Sequence, residues 1–166
     1  MPFSAAATND FLTGRAGIIS PSDSGCYAVR YRLPLATADL ALNTIGNIGI
    51  LPAGCVPISV VFDSDDLDSN ASPTIAWQIG ISNAAVVNNI QGATATAVST
   101  ATADGGAAWA TGITTSQAGG QAQSYSRAIS RVTPTTYDRY IVLQATTAAA
   151  TAVAGEVGLT ITYRFA

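Results

Sequence analysis

The sequence predicts an all-β fold, an antiparallel β-sandwich of the jelly-roll kind. Three observations carry this. Apolar residues recur at every second position over several segments, which is the period of a half-buried strand. Gly, Pro, Asn and Asp bound those segments, as turn residues do. No segment repeats its apolar residues at a helical period with caps at both ends. The chain has 166 residues, enough for one domain with its own core. Thirty-one alanines inflate the 48% hydrophobic content, yet 38 residues are Leu, Ile, Val or Phe. That is too many for a disordered chain, and twenty threonines push toward strands.

Residues 1–24 read as an arm. Phe3, Phe11, Leu12, Ile18 and Ile19 stand isolated among small residues, and "SPSDSG" closes the piece with a turn. Such an arm docks on its own domain or on a neighbour. Residues 25–166 hold the sandwich. "CYAVRYRLPL" (26–35) sets Tyr27, Val29, Tyr31 and Leu33 on one face and Ala28, Arg30 and Arg32 on the other. Pro34 marks a strand end or an edge. "DLALNTIGNIGIL" (39–51) is a second strand, bulged at its glycines. "LPAG" turns, and "CVPISVVFD" (55–63) is the third strand. "TIAWQIGIS" (74–82) turns Ile75, Trp77, Ile79 and Ile81 inward. "RYIVLQAT" (139–146) and "VGLTITYRF" (157–165) complete the clear set, the last with Leu159, Ile161, Tyr163 and Phe165 on one face. Around eight strands fit two packed antiparallel sheets. An immunoglobulin-like sandwich ranks second, because Trp77 follows both cysteines instead of lying between them.

The stretch 84–126 is different. It is rich in Ala, Thr, Gly and Gln and carries one charge, Asp104. As a structureless loop it would be too long for a compact domain. Two readings stand side by side: small-residue strands lying in the sheets, or an extended excursion packed on another subunit. Trp109 is the large residue that anchors it.

Charge then narrows the function. The net charge is −3, all seven cations are arginine, and neither lysine nor histidine occurs. The usual general base and commonest metal ligand are therefore missing, as is Schiff-base chemistry. A sparsely charged, mildly acidic chain is a poor match for nucleic acid. No apolar run approaches the ~20 residues of a membrane helix. No signal peptide opens the sequence, which points to synthesis in a cytoplasm. Cys26 and Cys55 are 29 positions apart and read as two ordinary buried thiols, with one disulfide as the alternative. No cofactor is expected.

The acidic stretch "VFDSDDLDSN" needs its own account. Asp63, Asp65, Asp66 and Asp68 crowd into six positions. From Asp66 the spacing starts an EF-hand loop, but Ala71 stands where glycine is required and Trp77 where glutamate is. Glycoside hydrolysis needs two carboxylates across a cleft, one with a raised pKa, and neighbouring aspartates on a turn stay solvated and ionised. The stretch therefore reads as the turn of a hairpin between the third and fourth strands. Leu67 folds back over the end of the sandwich. An irregular calcium site built from the four aspartates is the alternative. No catalytic residue is assigned.

The stretch "ILPAGCVPISVVFDSDDLDSNASPTIAWQIGIS" (50–82) resembles a pattern of small virion proteins of tailed bacteriophages. "LPAG" precedes a hydrophobic strand, then "D-D-L-D", then an alternating strand ending in "IG" and an apolar residue. The resemblance implies a capsid decoration, or cement, protein. It implies a jelly-roll-like domain, commonly trimeric, seated on the outside of a phage head against the major capsid protein. The arm residues Phe3, Phe11 and Leu12, together with Trp109, would then make the partner contacts. A lectin-like tail or fibre module is the competing class, with Tyr125, Tyr137, Trp109 and the aspartates as its sugar contacts. A small jelly-roll coat protein is the third.

Overall fold

The structure is a computed structural model and describes residues 25–82, 97–123 and 126–166. The arm, with Phe3, Phe11 and Leu12, lies outside the described residues, as does Tyr125. Eight strands follow one another: β1 (Cys26–Leu35), β2 (Ile45–Leu51), β3 (Cys55–Ser64), β4 (Ala76–Ile81), β5 (Ala110–Ile113), β6 (Gly120–Ala122), β7 (Arg139–Thr147) and β8 (Gly155–Phe165). They form two four-stranded sheets, ordered β1-β8-β3-β6 and β2-β7-β4-β5. Every pairing is antiparallel. β1 pairs with β8, β2 with β7, β3 with β6 and β4 with β5. The chain is thus one long hairpin, folded between β4 and β5 and rolled into two sheets. That is a jelly roll, as the strand patterns predict.

Alternation does most of the positioning. Along β1, Val29, Tyr31, Leu33 and Leu35 are buried while Ala28, Arg30, Arg32 and Pro34 are exposed. Pro34 sits on an edge strand, where a missing N–H breaks no ladder. β8 buries Leu159, Ile161 and Tyr163. Phe165 shares their face but is half exposed, because the strand runs past the end of the core. Between the sheets, the rings of Phe62 and Trp77 lie 6.5 Å apart.

β2 starts later than its apolar content suggests. Residues Thr37–Leu40 form a 3-10 turn, in which the Asp39 carboxylate accepts the Ala36 N–H at 2.8 Å. The expected bulge lies between Asn47 and Gly49. Gly49 is needed there: a Cβ would stand 2.6 Å from the Tyr31 ring, whose hydroxyl donates to the Ile50 carbonyl at 3.0 Å.

The uncharged middle contributes strands to both sheets. β5 extends one sheet beside β4, and β6 extends the other beside β3. The cysteines are free, and Cys26 is exposed, so the expectation of two buried thiols holds for Cys55 only. Cys26 lies opposite Arg164 and Cys55 opposite Phe165, on either side of β8. Two strand spacings separate them, roughly 10 Å, beyond the ~7 Å Cα reach of a disulfide.

Candidate functional site

The acidic stretch does not turn a hairpin. β3 ends in one sheet and β4 begins in the other, so the segment between them crosses the end of the sandwich. Leu67, fully buried, is the apolar pin of that crossing. Its N–H donates to the Ser116 carbonyl and its carbonyl accepts the Val153 N–H.

The four aspartates take four separate tasks. Asp63 lies on the outer face of β3 and forms an ion pair with Arg30 of β1, two strands away. The pair passes over Gly158 of β8, where a Cβ would stand 2.5 Å from both Asp63 oxygens. Arg32 and Glu156 make a second pair on the same face, with bonds of 2.7 and 2.8 Å. The Asp65 carboxylate accepts the Glu156 N–H at 2.8 Å. Asp66 accepts the N–H of Asp68 at 3.1 Å, an Asx-turn.

Asp68 departs most from expectation. It is not solvated but 1% exposed. Its Oδ2 accepts the N–H groups of Thr74, Ile75 and Ala150, and its Oδ1 that of Thr151, at 2.7–3.2 Å. Burial pushes this carboxyl up, but the four donors outweigh burial and hold its pKa down at about 2. A carboxylate offers about four acceptor positions; here Oδ2 takes three backbone donors and Oδ1 one. At neutral pH Asp68 has no proton to give. The four aspartates point to different partners, and among the described residues no three metal-binding side chains converge.

Other buried polar groups are also structural. The Trp77 indole donates to the Ser116 hydroxyl at 2.8 Å, and Ser116 and Ser64 share a hydrogen bond of 2.6 Å. Asp104, the one charge of the middle stretch, pairs with Arg139 at 2.8 Å. Arg139 also donates to the carbonyls of Ala103 and Thr133, clamping two loops to the start of β7.

Trp109 offers a partner no surface. It is fully buried, and its backbone N–H donates to the Ile79 carbonyl, so it anchors the middle stretch to its own sandwich. Among the described residues the proposed sugar contacts do not gather either. Tyr137 is exposed at the far end from the aspartates, beside the turn at Gly54, whose N–H donates to Thr135. A ten-residue strand, roughly 30 Å, separates the two. Phe165 shares the Tyr137 end, with its ring over Gly54. Among the described residues no helix is long and apolar enough to cross a membrane.

No protein-family model matches the sequence, and no curated protein matches it. Solved structures do. A chain of a structure described as "Capsid of Ralstonia phage GP4" is 27% identical with a TM-score of 0.75, covering 95% of this chain and 96% of that one. A chain of "Cyanophage Pam1 capsid asymmetric unit" is 20% identical with a TM-score of 0.55, covering 92% and 96%. At that identity the second likeness speaks for the fold alone. The structural neighbours of this jelly roll are thus bacteriophage capsid chains, and the likeness to phage virion structural proteins carried by residues 50–82 extends over nearly the whole chain.

Proposed function

We propose that this chain is a non-enzymatic capsid decoration, or cement, protein that binds the outside of a phage head and stabilises it. The observation that carries the reading is the end-to-end likeness, at a TM-score of 0.75, to a chain of a phage capsid. The chemistry fits beside it. Without histidine or lysine, and with the Asp68 carboxylate held by four backbone donors, the chain offers a stable scaffold and little for catalysis. Its partner is the major capsid protein, its state a homotrimer, and its place the virion surface after assembly in the host cytoplasm. Cement action is mechanical: area buried across subunit junctions favours the assembled shell by mass action. Phe3, Phe11 and Leu12 of the arm reach the shell or a neighbouring copy.

The test uses shells that lack this protein. Added full-length chain co-sediments with them and raises the temperature at which they open. A variant lacking residues 1–20 binds more weakly. Binding that survives this deletion unchanged removes the arm from the model. The jelly roll also suits a small coat protein, and that reading predicts closed shells from the purified chain alone.

A further inference from the structure

Charge is distributed unevenly along the strands of the sandwich. The end with the crossover holds Asp39, Asp63, Asp65, Asp66, Asp68 and Glu156 against Arg30 and Arg32, a formal −4. The other end holds Arg127, Arg131, Arg139 and Arg164 against Asp104 and Asp138, a formal +2. Arg139 is committed to Asp104. Arg127, Arg131 and Arg164 are exposed, and none pairs with a carboxylate among the described residues. Two large aromatics share this end uncovered, Tyr137 at 60% exposure and Phe165 at 51%. Hydrogen bonds draw the pieces together: Gly54 donates to Thr135 at 2.7 Å, Ala166 to Gly54 at 3.0 Å, and Thr133 to Ala103 at 2.9 Å.

The chain outside the described residues adds a second fact. Cys26 lies opposite Arg164, so residues 1–24 join β1 at this same end. A 24-residue segment reaches at most ~80 Å when extended.

We infer that the Arg131–Tyr137–Arg164–Phe165 end is the docking face, and that its occupant is an acidic patch with apolar pockets on the capsid shell. Arginine and aromatic side chains are the types that carry binding energy at protein interfaces. A positive end selects a negative partner and steers its approach. The acidic end then faces solution. The inference rests on the decoration reading. A second copy, offering its own acidic end, would stack head to tail into open chains instead.

Full-length protein is mixed with shells that lack it, and the bound fraction is measured by co-sedimentation in low and high salt. Two double variants probe the face: Tyr137→Ser with Phe165→Ser, and Arg131→Glu with Arg164→Glu. Leu42→Ser, 56% exposed at the acidic end, is the control. Thermal melting checks that each variant folds, and the arginine pair keeps the test decisive if the aromatic pair does not. Both double variants are expected to bind at least tenfold more weakly, the control like the parent, and parental binding to fall with salt. Parental binding with unimpaired double variants overturns the inference and leaves the decoration reading standing. If the parent itself does not bind the shells, both fall. A solution mass that climbs with concentration in the absence of shells assigns the face to a second copy and overturns the shell as its occupant.

Discussion

At the scale of single residues, identical side chains in one short stretch do different work. Asp66 and Asp68 are two positions apart, yet one closes a local turn and the other is sealed inside the crossover. Asp68 ties residues 74–75 to residues 150–151, two segments far apart in the sequence. Replacing it with asparagine keeps the shape and turns one acceptor oxygen into a donor. At least one buried N–H then faces an N–H, which costs about 1–3 kcal/mol. Urea denaturation at pH 7 measures the loss. The pH dependence follows from the sign. The folded pKa of about 2 lies below the ordinary value of 3.8, so the stabilisation is complete above pH ~4 and fades as pH falls toward 2. The stability gap between the parent and Asp68→Asn should therefore narrow over that window. A gap that holds constant from pH 5 to pH 2 would mean that the charge of Asp68 contributes nothing.

At the scale of elements, what was legible depended on contrast. β1, β4 and β8 alternate large apolar with small or polar residues, and β7 is a continuous apolar run, so all four are visible in the sequence. β5 reads "ATGI" and β6 "GQA", with too little difference between faces to reveal a period. The acidic crossover reads as a hairpin in the sequence because the same turn residues serve both. Which sheet β4 joins is decided by β7, more than sixty positions later. Leu67 was the one local sign that the chain turns inward there. The surface pair of Arg30 and Asp63 was invisible because its partners lie 33 positions apart, across a third strand. Asp104 shows how far context decides value. Its side chain is 13% exposed and that of Arg139 4%, against 30% and 45% for Asp63 and Arg30. Removing one partner of the buried pair strands a charge, so Asp104→Ala should cost about 3 kcal/mol. Arg30→Ala should cost less than about 1 kcal/mol. Two denaturation curves suffice, and equal losses would refute the distinction.

At the scale of the whole molecule, composition and fold combine into insensitivity. Every carboxylate among the described residues accepts a hydrogen bond: Asp39, Asp138 and the crossover group from backbone N–H, Asp63, Asp104 and Glu156 from arginine. No histidine is present to gain charge on mild acidification, and no lysine to lose it in base. Unperturbed carboxyls titrate near pH ~4 and thiols near ~8.5. Burial pushes the Cys55 thiol higher still, and Tyr31 is raised above its ordinary value in the same way. Folded and unfolded chains therefore bind nearly the same number of protons between pH 5.5 and 7.5, and equal proton binding means no slope of stability with pH. Melting temperatures across that interval should agree within about 2 °C, a shift smaller than ~1 kcal/mol would produce in a chain of this size. A scanning fluorimetry series in buffers of matched ionic strength tests this. A midpoint that moved by several degrees through pH 6–7 would reveal a group whose pKa folding shifts into that interval.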